Sequence, residues 1–317
     1  MAAYDVFNGD ADGICALLQL RQVQPRGAEL VTGVKRDIAL LDRVSGEAGD
    51  QITVLDISLD KNHASLQRLL QAGASVFYVD HHYPGDIPEH SGLQAIINTS
   101  PEVSTSALVN GHLKGARSGW AVVGCYGDNL DATAEKIAAA AGGQPDLPRW
   151  KELGVLINYN GYGAEVEDLH FAPEALYRRL LPHPDPGACL ADDPELIEIL
   201  SAAYDDDMRL AELAPRLIED ESIAVVELPD APWARRVSGV FGNYLANYYP
   251  DRAHAVVTEI EGGYLVSVRA PLNNRSGADE VCRQFATGGG RTAAAGINLL
   301  PAEELDRFID AMRRQYG

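Results

Sequence analysis

At 317 residues, with 26 Lys plus Arg against 46 Asp plus Glu for a formal net charge of −20, the chain has room for two domains and lacks the basic surplus of a protein that grips long duplex nucleic acid. Hydrophobic residues make up 46% and charged residues 23%, which excludes disorder, and no apolar run approaches the ~18 residues of a membrane span. Cys15, Cys125, Cys189 and Cys282 are scattered without Cys-x-x-Cys spacing, and Met1-Ala2-Ala3-Tyr4-Asp5 has no basic start leading into an apolar stretch, so the expectation is a cytoplasmic protein whose thiols are inert core residues.

In chain order, short apolar runs at 4–7, 30–34, 52–55, 76–79 and 95–97 alternate with segments of helical period near 13–23, 61–72, 104–114 and 131–141. That alternation predicts an α/β fold with a parallel sheet. A stretch dotted with Pro and Gly at 181–187 predicts an irregular connection, and Asp193-Pro194-Glu195 opens a helical segment to about Asp220. A second unit begins at Ser222, with strands at 223–228, 255–259 and 264–268 and helices near 238–248, 278–286 and 302–315. The expected organisation is a larger parallel-sheet domain over 1–190, a linker helix over 191–221 and a smaller α/β domain over 222–317.

Acids fall where these runs end. Asn8-Gly9-Asp10-Ala11-Asp12-Gly13 follows the first run, Asp56 the third and Asp80-His81-His82 the fourth, while the run 120–126, strand or helix, ends in Gly127-Asp128. In an open parallel sheet the carboxyl ends of the strands share the edge where ligands bind, so these side chains should converge. Carboxylates and imidazoles gathered there need compensating charge, and oxygen ligands with one or two His suit Mn, Mg or Zn. For any single acid, a helix cap or a turn is the simpler account; the ordered set is harder to explain that way.

Gly9-Asp10-Ala11-Asp12-Gly13, Asp56, Asp80-His81-His82 and Gly127-Asp128 resemble motifs one to four of the DHH phosphoesterase superfamily, in order and with similar spacing. The segment from Phe285 through Gly288-Gly289-Gly290-Arg291 to Ala295-Gly296 resembles the glycine-rich signature of its DHH-associated substrate domain. The resemblance implies two divalent ions, Mn foremost with Mg or Co as alternatives, about 3.5 to 4 Å apart and activating water against a phosphoester. It implies Asp10 on the first ion, Asp12 on the second, Asp56 between them, and His81 with Asp128 completing the second site. His82 would face the scissile phosphate and Asp80 would orient the His pair or touch the metals. Asn8 stands where relatives carry Asp or His, and as a metal ligand it would offer a carbonyl oxygen without charge.

The substrate grip is expected from the second domain, across a cleft: amides of Gly288, Gly289 and Gly290 as an anion nest, Arg291 where relatives often carry His, and Arg269 as a guanidinium for a terminal phosphate. A tight turn and a surface ion pair are the plain alternatives. The run 158–163, Asn-Tyr-Asn-Gly-Tyr-Gly, suits either a helix-ending turn or a base platform, and Glu165, Glu167 and Asp168 read as a solvated acidic face. His63, His90, His112, His170, His183 and His254 lack ligand spacing and read as structural.

The resemblance and the net charge together imply a hydrolase of short oligonucleotides or linear dinucleotides such as pGpG or pApA. Alternatives are a 3′,5′-bisphosphonucleoside phosphatase, an exopolyphosphatase-like phosphoanhydride hydrolase, and, outside enzymes, a silent nucleotide-binding regulator. No long duplex and no membrane partner is expected; a homo-oligomer is allowed.

Overall fold

In the computed structural model, which describes residues 1–317, the five N-terminal apolar runs become strands: β1 (Ala3–Phe7), β2 (Glu29–Val31), β3 (Gln51–Leu55), β4 (Ser75–Asp80) and β5 (Leu93–Ile97). They form one sheet in the order β2-β1-β3-β4-β5, with every pairing parallel. Buried β1, β3 and β4 are near-continuous in Val, Ile, Leu, Phe and Tyr, as strands covered on both faces must be.

The helices of this unit are α1 (Ala11–Val23), α2 (Leu59–Gln71), α3 (Thr105–His112), α4 (Ser118–Gly127), α5 (Asp131–Ala141), α6 (Leu147–Gly161), α7 (Pro173–Leu180) and α8 (Pro186–Asp192), followed by α9 (Pro194–Glu212). The run 120–126, ambiguous as sequence, lies inside α4. Every residue of α1 from Ala11 to Arg21 is buried, so it has no solvent face. Two glycines permit that enclosure: a Cβ on Gly13 would stand 2.2 Å from the Asn8 carbonyl oxygen, and one on Gly127 would stand 2.3 Å from the Ala11 Cβ. Asp5 of β1 accepts from Arg21 Nε at 2.6 Å and from Arg26 at 3.0 Å, a buried ion pair tying α1 to the sheet.

The chain divides into two compact units, Met1–Ser201 and Ala202–Gly317, with the boundary inside α9. The helix expected to reach Asp220 stops at Glu212, because Pro215 lacks the N–H a continuing helix needs. Arg216–Glu219 is instead a strand, β6. Within the irregular stretch 181–187, Asp185 caps α8 by accepting from the Ala188 N–H at 3.0 Å.

The second unit adds β7 (Ile223–Leu228), α10 (Pro232–Tyr248), β8 (Ala253–Ile260), β9 (Gly263–Arg269), α11 (Ala278–Cys282), β10 (Gly288–Gly290), β11 (Ala294–Pro301) and α12 (Leu305–Tyr316). Its sheet runs β10-β11-β9-β8-β7-β6, with β7 and β8 parallel and the other pairs antiparallel. Val225, Val257, Val266, Ile297, Phe308 and Met312 sit in its core. All four cysteines are free and buried, and no helix is long and apolar enough to cross a membrane.

Candidate metal centre

Parallel pairing brings the ends of β1, β3 and β4 to one edge, and each ends on an acid-bearing turn. Beyond Phe7, Asp10 caps α1 by accepting from the Gly13 N–H at 3.0 Å. Beyond Leu55, Asp56 takes a left-handed backbone, φ 61°, while its N–H donates to the Val79 carbonyl at 3.1 Å. A non-glycine residue in that region is strained, and such strain collects at functional sites. Asp80 closes β4 and leads to His81 and His82; Asp128 caps the C-terminus of α4.

His81 decides the chemistry of the cluster. Its Nδ1 lies 2.6 Å from the Val103 carbonyl oxygen, which can only accept, so the ring proton sits on Nδ1. The Nε2 lone pair then faces carboxylate oxygens of Asp56 at 3.4 Å, Asp128 at 3.6 Å and Asp12 at 3.9 Å. Acceptors aimed at acceptors in a buried site call for a cation between them. Asp12, His81 and Asp128 are placed to hold a metal ion, and so are Asp56, His81 and His82.

The electrostatics agree. Burial, then Asp128 and Asp10, push the Asp12 carboxyl up to about 6, although Ser106 opposes this. Burial, with Asp10, Asp12, Asp128 and Asp80 nearby, raises Asp56 well above the usual carboxylate range. Asp12 is also fixed by geometry: its two oxygens accept from the Thr105 N–H at 2.6 Å and the Ser106 N–H at 2.8 Å, at the N-terminus of α3. The donor set, buried carboxylates with one oriented imidazole, fits a hard or borderline divalent ion.

His82 stands at the rim, with its side chain 35% exposed and Nδ1 donating to Asp80 Oδ1 at 2.7 Å. The other Asp80 oxygen is buried without a hydrogen-bond partner.

Lys35 was not anticipated from the sequence. Its Nζ donates to Asp10, to Asn158 Oδ1 at 3.1 Å and to Asp128 Oδ1 at 3.4 Å. Burial works against this charge, yet Asp10, Tyr162 and Asp128 more than offset it and hold the ammonium well above the usual lysine value. The available signal was Lys35-Arg36 just past β2, at the same sheet edge as the acids.

Several expected site residues are placed otherwise. Asn8 Nδ2 donates to the Lys35 carbonyl at 3.0 Å and its Oδ1 accepts from the Asp10 N–H at 3.2 Å, so both ends of the amide serve the backbone instead of a metal. Arg269 donates from Nε to Asn243 at 2.6 Å and from its other nitrogens to the Val268 and Gly239 carbonyls at 3.1 and 3.2 Å, which makes it a brace within the second unit. Gly288, Gly289 and Gly290 form edge strand β10, paired with β11, in place of a nest, and Arg291 begins the tight turn between them. Asn158 and Asn160 are buried inside α6, and Asn160 is bonded to the Phe171 backbone, so neither can be a base platform. Asp168 is buried, accepting from the Ala164 N–H at 2.8 Å, because the chain folds over that acid; it is no part of a solvated face.

No family model matches this sequence, and no curated protein matches it either. Solved structures do match. A DHH-domain protein described as a member of a family of ribosomal proteins superimposes with a TM-score of 0.65 at 13% identity, over 99% of this chain and 86% of the other. RecJ in complex with Mn2+ from Thermus thermophilus gives 0.60 at 20% identity, over 99% of this chain and 51% of that one. A pGpG-specific phosphodiesterase from Vibrio cholerae gives 0.53 at 15% identity, over 99% of this chain and all of the other, 100%. The fold of this chain is that of the DHH-domain proteins.

Proposed function

We propose that the chain is a divalent-metal-dependent phosphoesterase that hydrolyses short oligonucleotides or linear dinucleotides, such as pGpG or pApA, to mononucleotides. The observation that carries this reading is the Nε2 lone pair of His81 aimed at oxygens of Asp12, Asp56 and Asp128, an arrangement that a bound cation reconciles. The likeness to a Mn2+-bound RecJ and, over its full length, to a pGpG-specific phosphodiesterase supports the phosphodiester class. The net charge of −20 favours a short substrate over a long strand, whose repulsion salt would only partly screen.

A divalent ion at such a centre lowers the pKa of water and neutralises charge developing on a phosphoryl group. The protein's part is to orient and to move protons. Val103 fixes the His81 tautomer, the α3 amides hold Asp12, and Thr105 Oγ1 holds Asp56 at 2.9 Å. His82, half-exposed and anchored on Asp80, is positioned to donate to a phosphate or a leaving oxygen, with Asp80 stabilising the imidazolium. Gly288, Gly289, Gly290 and Arg291 remain candidates for contacting the substrate; Arg269 does not.

The test is a hydrolysis panel with Mn2+, Mg2+ or EDTA, covering pGpG, pApA, a 20-mer, 3′-phosphoadenosine-5′-phosphate and polyphosphate. Metal-dependent release of mononucleotides, with the dinucleotides preferred over the 20-mer by kcat/KM, is expected. Turnover of polyphosphate or the bisphosphate alone would move the substrate class, and no turnover in any arm would leave a nucleotide-binding regulator.

A further inference from the structure

We propose that the Lys35 ammonium permanently fills the place of one cation in the acid cluster, so that the centre takes a single divalent ion, on its His81 side. The inference rests on reading the cluster as a metal centre, and it concerns how many ions that centre can take.

An ammonium has three N–H donors and no acceptor. Lys35 Nζ finds an oxygen for each: Asp10 Oδ2, Asn158 Oδ1 at 3.1 Å and Asp128 Oδ1 at 3.4 Å. These are hard oxygen ligands of the kind a divalent ion would use, and the ammonium already sits among them. The ring of Tyr162 lies 5.3 Å from the nitrogen, adding a cation–π contact.

Nor is Lys35 a loose surface side chain resting on an acidic patch. Its backbone is clamped at both ends: its N–H donates to the Gly161 carbonyl at 2.8 Å, and its carbonyl accepts from Asn8 Nδ2 at 3.0 Å. Asn8 stands where the sequence resemblance implied Asp or His as a ligand, and the neutral amide found there holds the lysine instead. Asn8 is spent on backbone and a fixed positive charge sits beside Asp10, two features that both disfavour an ion there.

The other ligand atoms converge on His81, and Asp128 turns its second oxygen, Oδ2, that way. The two side-chain groups placed to grip an ion are Asp12, His81 and Asp128, and Asp56, His81 and His82; both depend on His81, and Asp10 belongs to neither. Since Val103 engages Nδ1, His81 offers one lone pair, which serves one ion. A second divalent ion near Asp10 would meet the Lys35 charge at close range, beside the buried Asp10 and Asp128 carboxylates, where water screens the repulsion only in part.

The experiment counts metal in the intact protein. Wild type, Lys35→Met and Lys35→Arg are dialysed against Mn2+, and metal per chain is measured by elemental analysis and calorimetric titration, with electron paramagnetic resonance reporting whether the Mn2+ is isolated or spin-coupled. One Mn2+ per chain with an isolated signal is expected for wild type and Lys35→Arg, and two for Lys35→Met, which frees the oxygens of Asp10 and Asp128. Two coupled ions in the wild type overturn the inference while leaving the phosphoesterase reading standing. A folded Lys35→Met that still binds one ion also overturns it. Should Lys35→Met fail to fold, the wild-type count and its resonance signal still decide between one ion and two. No bound ion in the wild type at saturating Mn2+ overturns the metal centre itself, and the inference with it.

Discussion

Thr105 Oγ1 donates to Asp56 Oδ1 at 2.9 Å, while the backbone N–H of the same threonine donates to Asp12 Oδ2 at 2.6 Å. One residue at the start of α3 therefore sets the orientation of two carboxylates, one in the first turn of α1 and one just beyond β3. Thr105→Val keeps shape and backbone but leaves one Asp56 oxygen without its donor. Loss of such an orienting partner costs about 10- to 100-fold in metal affinity or activity. Mn2+ titration and kcat should both fall by that order with an unchanged circular dichroism spectrum; unaltered values would remove Thr105 from the support of the centre.

Asp56→Asn should abolish turnover without unfolding the chain. Asn tolerates the left-handed backbone found here, φ 61°, and the substitution relieves crowding with Asp10, Asp12 and Asp128. The expected rate loss is several orders of magnitude, with a melting temperature in EDTA no lower than wild type. Retention of more than about a tenth of the rate, a loss of only ~1.4 kcal/mol, would take Asp56 out of the centre.

Arg269→Ala tests a brace. With its donors bound to Asn243 and to the Val268 and Gly239 carbonyls, its removal should lower the stability of the second unit by about 1–3 kcal/mol and leave KM unchanged. A raised KM at unchanged melting temperature would show that Arg269 contacts the substrate after all.

Acid should loosen the second unit through His254. Burial chiefly, opposed by a bond to the Tyr249 carbonyl, pulls this imidazole down from 6.5 to about 4. The unfolded chain therefore takes up the proton first as pH falls, and stability drops between about 6.5 and about 4, flattening below. The full contribution is about 3 kcal/mol at ~1.36 kcal/mol per pH unit. His254→Gln should show a shallower decline across that window in urea melts at stepped pH; parallel profiles would assign the acid sensitivity to other groups.

Strands and acids were legible because each rests on a local pattern. Short apolar runs such as Val76 to Val79 bury only as central strands, and the acids just past the first, third and fourth runs land on the shared edge whatever the rest of the chain does. Lys35 was not legible: it lies in an irregular segment, and its role appears only when Gly161 and Asn158, more than a hundred residues on, close over it. The glycine-rich segment misled for the opposite reason. Gly288 to Gly290 suggests a loop by composition, yet pairing with β11 makes it a strand, a tertiary effect that overrides propensity. Arg269 had the right chemistry for a phosphate, and only its neighbours reveal that the guanidinium is engaged.

The enclosure of α1 also decides what a shortened first unit would lose. The covering of this helix comes from α3, α4, α6 and α7, the last of which ends at Leu180. A fragment ending at Asp128 would contain Asp10, Asp12, Asp56, His81 and Asp128 together with α3 and α4, and would lack the part of the α1 cover that α6 and α7 supply and, with α6, the Asn158 side chain and Gly161 carbonyl that hold Lys35. Such a fragment would keep the Thr105 and Ser106 contacts to Asp12 but would leave apolar surface of α1 open, which makes an incomplete fold prone to aggregate. Completing the first unit through α6 therefore fixes the charge balance of the acid cluster, because only then is the Lys35 ammonium held among its oxygens.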